Sequence, residues 1–409
     1  MTRRSDDEYR FPGHHRLPAG DLYKDFHRAP ELGLEEHKTS DRIESELKDM
    51  GLSAERISAT GLVAVIENGK GPTVLARADI DALPVSEDTG LDYSSTIDGV
   101  MHACGHDMHI TSLVGAVRLL NENLNAWSGT YIALFQPSEE NAAGAKAMID
   151  DGLTSKIPKP DIAYAQHVMP MPTGTVNTKA GPVLSAGDSV KITVHGRGAH
   201  GSMPHLSVDP VVLAATIVLR LQTIVSRETD PGEFAVVTIG ASNSGSKSNI
   251  IPDRAELLLN LRTYDMTVRD RIIASIERIV KGECEAAGSP KEPSFEYYDQ
   301  FPLTDNDEDA NDAVTKAFED YFDDGVVLPA TPATASEDFS EIPDAFEIPY
   351  AYWMIGCADA DAYKKAAEAG TVNSDIPANH SPQFAPVIDP TLEIATKAQV
   401  IAALSQLGS

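Results

Sequence analysis

Four short stretches of the sequence carry metal-binding side chains directly after apolar runs. They are HACGHDMH (102–109), QPSEE (136–140), AQHVMP (165–170) and ANHSP (378–382). Their candidate ligands are a thiol, imidazoles and carboxylates, at Cys104, His106, Glu139, Glu140, His167 and His380. This set can hold one or two transition metals and leave one carboxylate free as a base. The chemistry that it predicts is metal-assisted hydrolysis of an amide.

Cys104 and His106 flank Gly105, which permits a tight turn between two ligands. The alternative for this tripeptide alone is a loop with a buried thiol, but the other three stretches favour metal ligation. A thiolate can bridge two metal ions, and zinc, cobalt, manganese and nickel all suit such a ligand set. The sequence does not choose among these metals.

Each polar side chain next to the candidate ligands could either bind metal or support a residue that does. His102 and His109 could bind metal, but imidazoles that pack behind the ligands are the interpretation that we favour. Asp107 has the same status. Asp79 and Asp81 follow an apolar run, and spacing alone makes them equal candidates for orienting a ligand imidazole.

Glu139 and Glu140 form an adjacent carboxylate pair after Pro137. Neighbouring side chains on an extended segment point in opposite directions, so one carboxylate can bind metal while the other reaches a bound water. A solvated acidic turn is the alternative in so acidic a chain. The apolar run before the pair and the helix-forming AAGAKAMI (142–149) after it favour a buried, positioned pair.

The stretch GRGAHGSMPH (196–205) contains three glycines and two histidines. A glycine-rich turn with a surface histidine is one interpretation. In the other, His200 donates a hydrogen bond to the amide carbonyl oxygen as negative charge develops on it.

The first part of the chain alternates apolar strands with helices. Buried strands are predicted at Leu62–Ile66, Thr73–Ala78, Tyr131–Phe135 and Ile162–Ala165, and helical periodicity covers Leu17–Met50 and Met108–Leu120. This alternation predicts an α/β fold with a largely parallel sheet that is flanked by helices. Because sites form at the carboxyl ends of strands in such sheets, we expect the ligand stretches to converge there.

The middle of the chain has a different order. It reads strand, helix, strand, strand, helix, strand, which is the βαββαβ pattern of ferredoxin-like domains. We therefore predict a metal-binding catalytic domain from residues 1–186 and 300–409, with an inserted dimerisation domain at 187–299. A small sheet with a free edge and the long apolar helix at Val208–Val225 favour a homodimer or a higher homo-oligomer.

The composition limits the partners and the compartment. The chain has 409 residues, a net charge of −29 and three cysteines. The charge argues against nucleic acid and anionic membranes as partners, and so few cysteines suit a reducing cytoplasm. The longest apolar run, Val211–Leu219, is too short to span a bilayer, and MTRRSDDEYR at the start lacks the apolar core of a signal peptide.

Acidic groups are spread along the whole chain, which contains 62 Asp and Glu against 33 Lys and Arg. Such an excess is tolerated best where salt screens the repulsion between the charges. Our hypothesis is a halophilic protein of a salt-rich cytoplasm. A merely acidic protein from a low-salt cytoplasm is the alternative.

A series of ordered motifs carries a resemblance to a known family. The chain resembles the aminoacylase/carboxypeptidase superfamily of dinuclear metallopeptidases, and within it the amidohydrolase branch that includes hippurate hydrolases and auxin-conjugate hydrolases. The resemblance runs from Phe26 to Gln399 and rests on HRAPELGLEEHKTS (27–40), ADIDALPVSE (78–87), HACGHDMH, FQPSEE, QHVMP, GRGAHGSMPH, NIIP (249–252), NLRTYD (260–265), SEDFS (336–340) and NHSPQF (379–384).

The resemblance implies roles for these residues. Two divalent transition-metal ions would be held by Cys104, His106, Glu140, His167 and His380, with the thiolate shared between them. Glu139 would be the general base. His200 would be the oxyanion-stabilising histidine of the dimerisation domain, reaching the partner subunit's site. Asn249 and Arg262 stand where the family contacts the carboxylate end of the substrate.

We therefore predict a metal-dependent amidohydrolase that cleaves N-acyl-amino acids into a carboxylic acid and an amino acid. Ser138 replaces the usual alanine of the branch and Asn141 the common glycine, but neither change removes a reacting group. A dipeptidase or carboxypeptidase of the same superfamily is the nearest alternative. A binding protein without catalysis is disfavoured by the intact Glu139, and a metal store by Asn249 and Arg262. The acyl group and the amino acid stay open.

Overall fold

The computed structural model describes residues 19–407, which form two compact units. The first unit comprises residues 19–183, 305–331 and 338–407, and the second comprises residues 184–304 and 332–337. The first ten residues, for which the sequence predicts no signal peptide, lie outside the described residues, as does Leu17 at the start of a predicted helical stretch.

The helices and strands are numbered here in chain order. The α-helices among the described residues are α1 Ala19–Arg28, α2 His37–Asp49, α3 His106–Glu122, α4 Gly144–Asp150, α5 Leu153–Lys156, α6 Pro210–Thr223, α7 Met266–Ala287, α8 Glu308–Tyr321, α9 Glu341–Phe346, α10 Ala360–Ala369, α11 Val372–Asp375 and α12 Ile388–Gln406. The strands in the same part of the chain are β1 Ala54–Ile57, β2 Gly61–Asn68, β3 Thr73–Asp79, β4 Gly129–Gln136, β5 Ile162–Pro172, β6 Val176–Thr178, β7 Gly181–Leu184, β8 Ala186–His195, β9 Ala199–His200, β10 Ala235–Ser244, β11 Ile250–Ile251, β12 Arg254–Thr263, β13 Ser294–Phe301, β14 Thr304–Asn306, β15 Val327–Pro329 and β16 Tyr350–Ala358.

The described residues of the first unit build an eight-stranded sheet in the order β1-β2-β4-β3-β5-β16-β6-β15. At its centre β4, β3, β5 and β16 run parallel to one another, whereas β2 pairs antiparallel with β4. The central strands are buried along nearly their whole length, as expected for a sheet that is covered on both faces. The predicted α/β fold with a mostly parallel sheet is confirmed.

One predicted helical stretch is divided in the structure. The periodicity over Leu17–Met50 runs through a connection, because α1 ends at Arg28 and α2 begins at His37. The connection contains Pro30, which cannot donate a helix hydrogen bond, and its Leu34 has a positive φ of 65°. Spacing of apolar residues alone does not reveal this break.

Strand β5 is longer than the sequence predicts. The prediction ended at Ala165, but the strand continues to Pro172 in parallel with β16. The polar Gln166 is accommodated in the sheet because its side-chain oxygen accepts a hydrogen bond of 2.9 Å from the Trp353 indole. The extension places His167 inside the strand.

Apart from the short strands β9 and β11, which pair with each other, the second unit has the order β8-α6-β10-β12-α7-β13. Its antiparallel sheet has the strand order β10-β12-β8-β13, in which every neighbouring pair is antiparallel. Alternate residues of β12 are buried, which matches a sheet with one face on a core and one face towards solvent. The core contains Val190, Leu257, Ile217 and Ile276 from the sheet and both helices. This is the ferredoxin-like arrangement that the sequence predicts.

Helix α6 carries apolar residues on two faces. Leu213, Ile217 and Leu221 are buried in the core of the second unit, whereas Val212 and Leu219 are 62% and 74% exposed. Among the described residues, the stretch Pro210–Glu228 is long and apolar enough, by length and composition alone, to cross a membrane. The inner face of α6 packs into a globular core. Its outer face exposes apolar side chains, which is typical of an interaction surface.

Candidate metal centre

Cys104 and His106 occupy the turn that leads into α3. Gly105 is the N-cap residue of the helix and His106 is its first residue. Gly105 has a φ of 87°, and a Cβ atom at this position would lie 2.3 Å from the Val168 side chain. Only glycine therefore fits between the two predicted ligands.

The structure brings the five predicted ligands of the first unit together. The Cys104 sulfur lies 3.4 Å from Nε2 of His167. Nε2 of His106 lies 3.9 Å from Oε1 of Glu140, and Nε2 of His380 lies 3.3 Å from the other oxygen of that carboxylate. The His380 side chain is 54% exposed, whereas Cys104 and His106 are buried, so solvent reaches the cluster beside His380.

Two orphaned atoms test whether this cluster fits a metal ion. Nε2 of His106 and Oε1 of Glu140 are buried, and neither has a hydrogen-bond partner among the described residues. A buried polar atom without a hydrogen-bond partner lowers the free energy of unfolding by about 1–3 kcal/mol. Two such atoms that face each other therefore indicate a site for a bound group. Atoms of Cys104, His106 and Glu140 all lie within 4.8 Å of one another, and thiolate, imidazole and carboxylate suit divalent transition metals. The residues fit such ions.

The local charges fit a cation as well. Burial raises the pKa of the Cys104 thiol well above its usual range, and the nearby carboxylates of Glu140 and Glu139 add to this effect. Burial lowers the pKa of His167 well below its usual range, which keeps that imidazole neutral. A cation that binds here would offset the carboxylate charge and make the thiolate favourable, because metal ligands must be deprotonated.

Asp81 orients two of the predicted ligands. Nδ1 of His106 donates to the Asp81 carbonyl oxygen at 2.9 Å and lies 3.2 Å from Oδ1 of its carboxylate. These contacts assign the ring proton to Nδ1 and leave Nε2 available for a metal. The backbone N–H of Glu140 donates to the other Asp81 carboxylate oxygen at 3.1 Å. Asp81 is thus the carboxylate that orients the His106 imidazole, a role for which the sequence left Asp79 and Asp81 as equal candidates.

Asp79 and His109 form a hydrogen-bonded pair next to the candidate ligands. Nε2 of His109 accepts a hydrogen bond of 2.9 Å from the Val168 backbone, so Nδ1 carries the proton and donates to Asp79 at 2.5 Å. Both nitrogens of His109 are therefore occupied by the protein. Arg77, which is fully buried in β3, donates to the second oxygen of Asp79 at 2.8 Å. This network anchors the backbone that follows His167.

His27 links α1 to the ligand helix through a buried ion network. Nδ1 of His27 lies 2.6 Å from Asp107, the residue after His106, and Nε2 lies 3.3 Å from Glu87. Burial alone would lower the pKa of His27, but its hydrogen bonds to Asp107 and Glu87 outweigh burial and raise the pKa to about 9. By contrast, burial lowers the pKa of His102 to about 4, so that histidine is a neutral core residue.

The raised pKa of His27 predicts a pH-dependent stability difference. In the unfolded chain the pKa of histidine is about 6.5, so above this pH the folded state alone keeps the His27 proton. The stabilisation by His27 is therefore complete below about pH 6.5 and falls by about 3 kcal/mol as the pH rises through about 9. We expect His27→Gln to lose most stability relative to wild type near pH 6 and least near pH 10.

The measurement is urea unfolding of both proteins from about pH 6 to about pH 10, compared as a difference so that other titrating groups cancel. A difference that does not change with pH would contradict an imidazolium at His27. His37→Gln, which changes an exposed histidine at the start of α2 outside this ion network, is the matched control.

Glu139 and Glu140 lie on a turn, not on the extended segment that the sequence suggested. Ser138 has a positive φ of 48°, and its backbone N–H donates to the buried Glu36 carboxylate at 2.8 Å. A Cβ atom on Gly144 would lie 1.5 Å from the Pro137 carbonyl oxygen, so the close approach requires glycine there. The turn leaves Glu139 only 5% exposed beside the candidate ligand Glu140.

His200, Asn249 and Arg262 all belong to the second unit. His200 lies on β9 opposite Ile250 of β11, and the Asn249 carbonyl oxygen accepts a hydrogen bond of 2.8 Å from the residue after His200. Arg262 lies on β12, where it donates to Asn260 at 3.0 Å and to the Ser336 hydroxyl. The structure thus brings His200 and Asn249 together on one ribbon and places Arg262 on the four-stranded sheet.

Sequence reasoning missed several side chains that hold the candidate ligands. These residues are His27, Glu36, Arg77, Glu87 and Asn379. His27, Glu36, Glu87 and Asn379 stand inside motifs that carry the family resemblance, which was the available signal. Arg77 gave a different signal, because a charged residue inside an apolar strand must find partners in the interior.

Comparison with known proteins supports the family resemblance that the sequence motifs indicate. The family model described as Peptidase family M20/M25/M40 matches residues 75–377. The chain is 38% identical to hippurate hydrolase of Campylobacter jejuni over 331 residues, which cover 80% of this chain and 85% of that protein. It is 36% identical to thermostable carboxypeptidase 1 of Saccharolobus solfataricus over 341 residues, which cover 82% of this chain and 84% of that protein.

A solved structure extends the likeness to the fold. The Bacillus subtilis YXEP protein, described as a dinuclear metal binding peptidase from the M20 family, matches with a TM-score of 0.77 and 28% identity. The match covers 94% of this chain and 96% of that protein. The family resemblance that the sequence motifs indicate is confirmed. The chain belongs to Peptidase family M20/M25/M40 and is a hydrolase of that family.

Proposed function

We propose that this protein is a metal-dependent amidohydrolase that cleaves N-acyl-amino acids to a carboxylic acid and an amino acid. The observation that carries the proposal is the cluster of Cys104, His106, Glu140, His167 and His380. A second buried carboxylate, Glu139, precedes Glu140 and is close enough to the Cys104 thiol to help raise its pKa. The 38% identity to a hippurate hydrolase, an enzyme named for an N-acyl-amino acid, supports the substrate class.

The five side chains would hold two divalent transition-metal ions. When bound, such ions lower the pKa of a water molecule and polarise the amide carbonyl. The ligands support this role through their own geometry. Asp81 presents Nε2 of His106, and the two oxygens of Glu140 face different imidazoles, those of His106 and His380.

Glu139 is the proposed general base. It accepts the proton of the attacking water and delivers it to the nitrogen of the leaving amino acid. Its position supports the role, because the turn after β4 buries Glu139 next to the ligand Glu140. A carboxylate that is shielded from bulk water and adjacent to the metal ligands can take a proton directly from the nucleophile.

His200 is the proposed donor to the developing oxyanion. Nδ1 of His200 accepts a hydrogen bond of 3.2 Å from the Ser202 backbone, so the proton of the neutral ring lies on Nε2. Within residues 19–407 that N–H has no acceptor, and the side chain is exposed, as a group that must reach a substrate would be. We assign Asn249 and Arg262 to the carboxylate of the amino-acid part, for which the planar guanidinium of Arg262 is well suited.

A carboxypeptidase or dipeptidase is the second candidate, and the 36% identity to a carboxypeptidase favours it. The experiment that separates the two compares N-acetyl-, N-benzoyl- and indoleacetyl-amino acids with dipeptides and blocked peptides. Release of amino acid from the N-acyl compounds at a higher kcat/KM than from the peptides is the expected result. A preference for peptides would replace the proposal by the second candidate.

We also propose that the protein is a homodimer through the second unit. The outer face of α6 supports this, since Val212 and Leu219 are apolar and mostly exposed. A dimer would cover them and would let His200 reach the partner subunit's site. Sedimentation equilibrium should give twice the chain mass, and a monomer at micromolar concentration would contradict the proposal.

The net charge of −29 leads to the proposal that the protein is halophilic and works in a salt-rich cytoplasm. Its charges repel one another over about 10 Å at about 0.1 M salt but over only about 3 Å at about 1 M. We expect secondary structure and activity to be lost on dialysis from molar KCl into dilute buffer. Sucrose, which is excluded from protein surfaces but does not screen charge, should preserve the structure less well than KCl does. An unchanged circular dichroism spectrum in dilute buffer would contradict the proposal.

A further inference from the structure

Asn379 lies on the segment that carries His380 and contacts the segments that carry Cys104 and His167. Its side-chain Nδ2 lies 3.2 Å from the Cys104 carbonyl oxygen and 3.2 Å from the Val168 carbonyl oxygen. The same nitrogen lies 3.7 Å from the Cys104 sulfur. Asn379 precedes the candidate ligand His380, and Val168 follows the candidate ligand His167.

The orientation of the Asn379 amide follows from its partners. Carbonyl oxygens only accept hydrogen bonds, so the group that faces Cys104 and Val168 must be the NH2 group. Its two hydrogens are directed to the two carbonyl oxygens. The sulfur of Cys104 shares one of these hydrogens at a longer distance, as sulfur acceptors do.

The backbone beside Asn379 adds to this arrangement. The N–H of His380 donates to the Ala103 carbonyl oxygen at 2.7 Å. His380 also has a positive φ of 69°, a conformation that residues other than glycine rarely adopt and that surrounding contacts must maintain. Residues 379 and 380 therefore hold the segment 103–104 through both a side chain and the main chain.

We propose that Asn379 is a positioning residue of the metal centre. Its amide fixes the segments of Cys104, His167 and His380 relative to one another, and its N–H group donates a weak hydrogen bond to the Cys104 sulfur. The inference rests on the ligand set of the proposed function. It adds a residue that does not bind metal but sets the spacing and the electron density of the groups that do.

Titration of the metal-free protein with Co²⁺ tests this role. The variants are Asn379→Ala and Asn379→Leu, the second of which keeps the side-chain volume but removes the donor. Loss of such a supporting group weakens metal binding by about 10–100-fold, and we expect this loss in both variants. The sulfur-to-cobalt absorption band should also move to longer wavelength, because the sulfur lone pair rises in energy without its hydrogen bond.

A matched control is Asn373→Ala, which changes an exposed asparagine on α11 and should retain the wild-type dissociation constant and band. Wild-type values in both Asn379 variants would overturn the proposal. A purely structural role, which would equally overturn it, predicts a lower unfolding midpoint of the metal-free protein with an unchanged dissociation constant and band.

Cys104→Ala in the same titration separates this inference from the proposed ligand set. Weaker binding in Cys104→Ala with normal binding in the Asn379 variants would reject the role of Asn379 alone. Normal binding in Cys104→Ala would reject the ligand set itself.

Discussion

Glu139→Gln should bind metal as the wild type does and lose hydrolysis by about 10²–10⁴-fold in kcat. The amide has nearly the same size as the carboxylate, so the buried turn after β4 can keep its shape around it. It cannot accept a proton from the attacking water, and it cannot return one to the leaving amine. The neighbouring Glu140 is untouched, so the groups proposed to hold the metal stay in place.

The measurement combines elemental analysis for metal content with release of amino acid from an N-acyl substrate. Glu35→Gln is the matched control, because Glu35 is an exposed glutamate in the connection between α1 and α2. That variant should retain wild-type turnover. Near wild-type turnover in a metal-loaded Glu139→Gln protein would show that another group is the base.

Cys104→Ala should lower metal affinity by at least about 100-fold, since removing a ligand costs more than removing a group that merely supports one. The sulfur lies 3.4 Å from His167 and within 4.8 Å of ligand atoms of His106 and Glu140. It therefore lies among the other candidate ligands. Without it, the proposed site loses its only thiolate and one of its five ligands.

Elemental analysis and a competition titration against a chelator measure this loss. Cys284→Ala provides the control, because Cys284 is a buried cysteine of α7 in the second unit. That change should leave the metal content unaltered. Unchanged metal content in Cys104→Ala would exclude the thiolate as a ligand.

The fold class was accessible from the sequence because the strands of both units have strong patterns. β4 is apolar along most of its length, β3 is apolar apart from Arg77, and both end at polar residues, which indicates strands covered on both faces with a site at their ends. β12 alternates, as a strand with one solvent face does. The spacing of apolar residues did not show the division between α1 and α2, although Pro30 inside the stretch is a helix-breaking signal in the sequence.

The candidate ligands could also be predicted from the sequence, because cysteine, histidine and paired carboxylates that follow several strands indicate a functional site. The side chains that position them were harder to predict. The roles of Asp81 and His109 depend on which ring nitrogen faces which acceptor, and that depends on tertiary geometry. Asn379 contacts residues more than two hundred positions away in sequence, at Cys104 and Val168, and no local pattern reports such a contact.

The most direct test of the central claim is metal-dependent turnover of an N-acyl-amino acid at high salt. The protein is stripped with a chelator, and amino-acid release is measured before and after adding Zn²⁺, Mn²⁺, Co²⁺ or Ni²⁺. We predict no release from the stripped protein and restored release with at least one metal. Equal release with and without metal, or none with any metal despite bound metal and an intact fold, would contradict it.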